Sequence, residues 1–154
     1  MKTRLLAAAA LAVLLLGACV TAPPSQNEGR VAEVIELIND GPVEALVNQS
    51  HVPFFFDAEL LVRSTDVSLM WTGLREAGFE VAPAGFAVEP AGPADFRRIA
   101  DNFDMESFFS PDGYFPEDAG WVIVDSSAGQ ILILLGDRNG RLPVIFGIAR
   151  SSHE

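Results

Sequence analysis

Few side chains in this sequence are equipped for chemistry. There is one Cys, Cys19, and there are two His, His51 and His153. A lone thiol excludes an internal disulfide and a zinc-finger framework. His153 stands at the end of the chain, so His51 is the one imidazole inside the folded part. Asp57 follows it closely in sequence. A His takes a proton as a general base, and a neighbouring carboxylate orients its ring. The pair His51 and Asp57 is therefore the one to test for catalysis. The plainer reading makes His51 a polar residue at a helix-to-strand turn. One His leaves a zinc ion dependent on carboxylates, so no metal is expected.

The aromatic residues raise a second question. Phe54, Phe56, Trp71, Phe79 and Phe103 are candidates to line an apolar pocket. They equally suit a packed core, because consecutive apolar residues in a short strand usually mean both faces are covered. Residues 101–118 are acidic, with Asp101, Asp104, Glu106, Asp112, Glu117 and Asp118 and no basic residue among them. The spacing of a calcium loop is absent, so this reads as a solvated acidic face. Arg97 and Arg98 stand ready to pair with it at the surface. There is no Gly-x-Ser-x-Gly elbow, phosphate loop, His-Glu-x-x-His or dinucleotide fingerprint. No cofactor and no firm catalytic residue are expected.

The first residues have a different character. Lys2 and Arg4 precede an uncharged apolar run of 12 residues, Leu5 to Leu16. That run suits a leader core and is shorter than the roughly 20 residues of a membrane-spanning helix. It ends in Leu16-Gly17-Ala18-Cys19. This resembles the lipobox of bacterial lipoproteins. The resemblance implies lipid transfer to the Cys19 sulfur, cleavage before Cys19, and acylation of the new amine. Palmitate-type chains would then hold the protein in a membrane, since each buried CH₂ contributes about 0.8 kcal/mol. The alternatives are an ordinary leader with a chance Cys, or an uncleaved membrane helix. In lipoproteins of two-membrane bacteria an Asp after the Cys implies inner-membrane retention. Val20 stands there instead, which points to the outer membrane.

The whole chain of 154 residues has 10 basic and 21 acidic side chains, a net charge of −11. Cleavage would remove Lys2 and Arg4, leaving eight basic residues, all Arg, and a net charge of −13. An acidic body is a poor nucleic-acid binder and is repelled by anionic lipid. The membrane contact is thus expected through the lipid alone. Residues 19–29, rich in Pro and small polar residues, read as lipidated Cys and tether. Residues 30–150 read as one domain, since 49% of the chain is hydrophobic.

The elements that position these residues follow from periodicity. Val31, Val34, Ile35 and Ile38 mark an amphipathic helix, ended by Asp40-Gly41-Pro42. A second short helix is predicted over Pro42 to Asn48. Phe54 to Phe56 and Leu60 to Arg63 read as strands around an Asp57-Ala58-Glu59 turn. Ser64 or Thr65 caps a helix with Val67, Met70, Trp71 and Leu74 inward, stopped by Gly78. Phe79 to Pro83 and Phe86 to Glu89 are short strand candidates. Ala94 to Asn102 reads as a helix, Phe103 to Phe109 as extended chain, and Ser110 to Gly120 as loop. Trp121 to Asp125, Gln130 to Gly136 and Leu142 to Ala149 form an antiparallel meander, with turns at Ser126 to Gly129 and at Asp137 to Arg141. Gly120 and Gly147 read as easing strand bends.

The class is α+β, with N-terminal helices packed on a curved antiparallel sheet that ends in a three-stranded meander. The opening helix, Pro53-Phe54-Phe55-Phe56, the segment Leu74 to Phe79 and the closing strands to Ile148 resemble the nuclear transport factor 2-like (SnoaL-like) cone. That resemblance implies a sheet curled around a cavity. The isomerase chemistry of that fold needs an Asp base with acidic donors, typically a Tyr and a protonated Asp. The one Tyr, Tyr114, lies in a Pro/Gly-rich loop and matches no such position, so no catalytic residue carries over. The expected function is a membrane-anchored, extracytoplasmic and non-catalytic lipoprotein. It would bind a partner protein or a small apolar ligand. The alternatives are a cone-fold hydrolase or isomerase using His51 and Asp57, and a purely structural envelope component.

Overall fold

The computed structural model describes residues 28–110, 112–137 and 142–151. Cys19, the leader, residues 19–27 of the tether, His153 and the turn residues 138–141 lie outside the described residues. The first helix, α1 (Glu28–Asp40), begins within the stretch assigned to the tether. It buries Val31, Val34, Ile35 and Ile38, the four residues of its apolar stripe. Helix α2 (Val43–Gln49) follows the break and buries Leu46.

Strand β1 (Ser50–Phe56) starts earlier than the sequence suggests and runs through Pro53. Pro has no N–H to give to a ladder, so it is tolerated in a sheet only where pairing is interrupted. The register of β1 with its neighbour shifts between Ser50 and Phe55, which leaves Pro53 in the break. The tight turn at Asp57, with φ of 50°, leads into β2 (Glu59–Leu61). Asp tolerates this left-handed conformation better than most residues. Helix α3 (Ser64–Glu76) has Arg63 as its N-cap residue and no side-chain cap, contrary to the predicted Ser or Thr cap. Its start is tied instead by Arg63 to Asp66, at 2.9 Å. The hydrogen bond and charge of Asp66 raise the Arg63 guanidinium above its ordinary pKa.

The middle of the chain departs most from expectation. Phe79 to Pro83 is not a strand. Val81 makes one isolated bridge, to Ser126. Its backbone is held by Asn39, whose Nδ2 donates to the Val81 carbonyl at 2.8 Å and whose Oδ1 accepts the Val81 N–H at 2.9 Å. Strand β3 (Ala87–Pro90) leads to a short 3₁₀ helix, Pro93–Arg98, rather than a full α-helix. Phe103 to Phe109 is helical, as α4 (Phe103–Phe109), and not extended. Asn102 caps it, accepting the Met105 N–H at 2.9 Å. The side chain thus supplies the partner that the first turn lacks.

Strands β4 (Gly120–Ser126), β5 (Gly129–Gly136) and β6 (Val144–Arg150) form the predicted antiparallel meander. Among the described residues the sheet has six strands in the order β2-β1-β6-β5-β4-β3. It is mixed, not wholly antiparallel, because β1 runs parallel to β6. The fold is α+β, with helices packed against this open sheet.

Both faces of the sheet are covered, which explains the unbroken apolar runs in its strands. Alternation along β5 divides its side chains. Ile131, Ile133 and Leu135 join α1, α2 and α3 in one core. Leu132 and Leu134 join α4, Trp121 and Phe146 in a second core on the other face. The three Phe of β1 split in the same way: Phe54 and Phe56 face the first core and Phe55 the second. Opposite Phe55, β6 carries Gly147. A Cβ on Gly147 would collide with the root of the Phe55 ring. Gly147 is therefore needed for the close approach of an aromatic ring, and it also stands beside the register shift in the β5–β6 ladder.

Candidate functional site

The predicted aromatic pocket does not assemble. Phe54 and Trp71 are fully buried with ring centroids 6.0 Å apart, edge to face. Phe56 and Phe79 pack against the same cluster. The indole Nε1 donates to Ser50 Oγ at 3.0 Å, so the polar handle of Trp71 is satisfied within the core. These four aromatics are building material. Phe103 lies apart from them, on α4, with 79% of its surface exposed.

His51 and Asp57 are also kept apart. They sit at opposite ends of β1, roughly 20 Å apart at the rise of an extended strand. The Asp57 carboxylate accepts the Arg150 backbone N–H at 2.8 Å and its Nε at 3.0 Å, with Nη2 at 2.9 Å. It staples the end of β6 to the turn after β1. His51 Nδ1 is 3.0 Å from the Pro53 carbonyl, and its ring stacks on Phe146 at 4.5 Å. A carboxylate serving Arg150 cannot also orient His51, so the pair has no shared geometry for acid–base work.

The acidic stretch is dispersed as well. Asp101, Asp104, Glu106, Asp112 and Glu117 are exposed, while Asp118 accepts the Asp137 N–H at 3.1 Å. The two arginines before it turn elsewhere. Arg98 pairs with Glu89 at 3.1 Å and lies over the Trp121 ring, and Arg97 covers the Phe96 ring. No group of His, Cys, Asp and Glu suited to a metal occurs among the described residues. No helix among them is long and apolar enough to cross a membrane.

What the structure does assemble is a cleft beside α4. Helix α4 turns Met105, Phe108 and Phe109 inward. Its helical period therefore sets Phe103, Glu106 and Ser107 on the outer face. The chain then reverses: Gly113 N–H donates to the Ser110 carbonyl at 2.9 Å, and Tyr114 N–H to the Phe108 carbonyl at 3.0 Å. Gly113 is required here, because a Cβ would collide with the Ser107 and Phe108 carbonyl oxygens. The reversal brings Tyr114 next to the helix, its ring 6.3 Å from Phe108 and 6.2 Å from His51.

The resulting cleft holds about 500 Å³ and is lined by Phe103, Glu106, Ser107, Ser110, Asp112, Gly113 and Tyr114. Two exposed rings and two exposed carboxylates face a common space. The sequence does not reveal it, because Phe103 to Phe109 lacks clear helical periodicity and suggests extended chain. The signal was present: Asn102 precedes Asp104 and Glu106, a cap residue followed by acidic residues in a first turn. A second depression of about 510 Å³ lies between α1 and Leu142, lined by Glu33, Glu36, Leu37, Asp40 and Gly41. Both clefts are lined by carboxylates, the first also by two exposed rings. Compared with protein-family models, curated proteins and solved structures, the chain matches none of them.

Proposed function

We propose that the chain is a lipoprotein of the bacterial envelope, anchored by acyl groups on Cys19, with a non-catalytic domain that binds a partner protein outside the cytoplasm. The anchor rests on the leader pattern and on the position of the only Cys directly after Leu16-Gly17-Ala18. The observation that carries the binding reading is the division of the aromatic residues. Phe54, Phe55, Trp71 and Trp121 are consumed by two cores, whereas Phe103 and Tyr114 stand at the surface, 79% and 51% exposed. Exposed aromatics at a cleft favour contact with another molecule, and they are enriched where proteins meet. A filled interior favours a surface partner over an enclosed apolar ligand.

The same reading takes the domain as cone-like, akin to the nuclear transport factor 2-like fold. It is supported by the element order: an opening helical pair, a short hairpin, a helix, then the remaining strands. Register shifts in the β1–β6 and β5–β6 ladders add local bending of the kind a curled sheet needs.

The test of the anchor is chemical. Mass spectrometry of the N-terminal peptide from the natively exported protein should find it beginning at Cys19 and carrying acyl chains. Cys19→Ala should leave the chain unprocessed or release it from membranes. A processed wild-type chain with a free Cys19 thiol refutes the anchor.

A further inference from the structure

We infer that the α4 cleft receives a basic segment of a partner protein, with an arginine side chain set against the rings of Phe103 and Tyr114 and the carboxylates of Glu106 and Asp112. This deepens the binding reading above and rests on it. The volume, about 500 Å³, falls within the range of small binding pockets, about 300–1,000 Å³. Aromatic faces attract cations through their quadrupole. Carboxylates add charge-assisted hydrogen bonds, for which the planar guanidinium is the best-fitting partner. Ser107 and Ser110 line the same cleft. Ser110 Oγ donates to the Ser107 carbonyl at 3.0 Å, which holds the C-terminal end of α4 in place.

Among the described residues no arginine is left to fill the cleft. The six described arginines are all engaged elsewhere. Arg30 pairs with Asp137, Arg63 with Asp66, Arg98 with Glu89 and Arg150 with Asp57. Arg75 donates to the Ile38 carbonyl, and Arg97 covers Phe96. Cleavage before Cys19 would leave a chain with no Lys and a charge of −13. Two such copies repel each other, which disfavours a second copy as occupant. Anionic lipid is repelled for the same reason. A basic protein segment satisfies both the charge and the rings.

The experiment uses the full processed lipoprotein in nonionic detergent. The probe is a fluorescein-labelled peptide of alternating Arg and Gly, read by anisotropy in physiological salt. Two control peptides replace each Arg by Lys or by Glu. The Arg peptide should bind more tightly than the Lys peptide, and the Glu peptide should not bind. Phe103→Ala and Glu106→Gln should each weaken binding about fivefold. Both positions are exposed, so the fold should survive, and circular dichroism checks that it does. Glu44→Gln, an exposed carboxylate on α2 away from the cleft, should leave binding unchanged. Equal losses from Glu44→Gln and Glu106→Gln would mean diffuse attraction and overturn the site. So would binding insensitive to Phe103→Ala. Mass spectrometry of Cys19 on the same preparation separates the two ideas. Acylated protein without cleft-dependent binding sinks the site alone, and cleft-dependent binding without acylation sinks the anchor alone.

Discussion

Replacing Gly147 by Ala should destabilise this domain, although the same change elsewhere in a strand usually helps. Gly in a strand interior costs about 0.5–1 kcal/mol through backbone entropy, which Ala recovers. The opposing term is steric. Gly147 faces Phe55 across the β1–β6 ladder, and an added Cβ meets the root of the ring at Cγ as well as both Cδ atoms. A ring struck at its root cannot swing aside without moving the backbone of β1. Nor is there room for it to retreat. Phe55 is 0% exposed and is walled by Phe108 at 5.4 Å, Phe109 at 5.9 Å and Trp121 at 6.2 Å. Overpacking of this kind costs about 1–3 kcal/mol, and the rigid surroundings place it at the upper end. The net loss is about 2 kcal/mol, or about 8 °C in Tm for a domain of this size. Urea unfolding followed by Trp emission measures it directly, because Trp121 lies beside the perturbed ring. A second substitution, Phe55→Ala, removes the Cγ and both Cδ atoms that the added Cβ would meet. The double variant should then be less damaged than the two single losses summed, by about 1 kcal/mol. A Gly147→Ala variant as stable as the parent, or strictly additive losses, would refute the close-approach argument.

Three further substitutions test other parts of the fold by the same unfolding assay. Asn39→Ala should cost about 2–4 kcal/mol, because it strips partners from both the N–H and the carbonyl of Val81 in a segment with almost no strand pairing; a loss under 0.5 kcal/mol would mean water replaces the amide. Trp71→Ala should cost about 3–5 kcal/mol as a buried aromatic with a satisfied indole, and a loss below 1 kcal/mol would show that α3 does not depend on that face. His51→Ala should cost about 0.5–1.5 kcal/mol through the lost stack on Phe146, and no measurable change would show that the stack contributes nothing.

The two ends of the domain were legible in the sequence and its middle was not. The stripe Val31, Val34, Ile35 and Ile38 has one interpretation, because no strand repeats at three and four residues. The meander was equally plain, since β-branched runs between turn residues have few other uses. The middle failed for identifiable reasons. Pro53 lacks a ladder N–H and suggests a strand starting only at Phe54, whereas a ladder interrupted between Ser50 and Phe55 accommodates it. Phe103 to Phe109 lacks a clear helical stripe because the segment is only two turns long. Its cap, Asn102, carried the information that periodicity could not. Phe79 to Pro83 has the composition of a strand, but its backbone is held by the Asn39 side chain and a single bridge to the end of β4, long-range contacts no local pattern reveals. The cleft was illegible for the same reason. It exists only because α4 forms and the chain after it doubles back through Gly113. The site pairs drawn from the sequence rested on proximity along the chain. A strand defeats that reasoning, because six residues of extended backbone separate His51 from Asp57 more widely than a helix would.

The order of the sheet bears on how the molecule comes to exist. The last strand made, β6, is third of six across the sheet, between β1 and β5. Until it arrives, β1 and β5 each present an open flank, and the helices have only fragments to rest on. The last described strand in chain order therefore lies at the centre of the architecture, not at its rim. Before β6 is made, the chain holds two partial sheets that only β6 can join. A stop before Val144 would remove the keystone and leave two exposed flanks prone to seek each other in neighbouring copies.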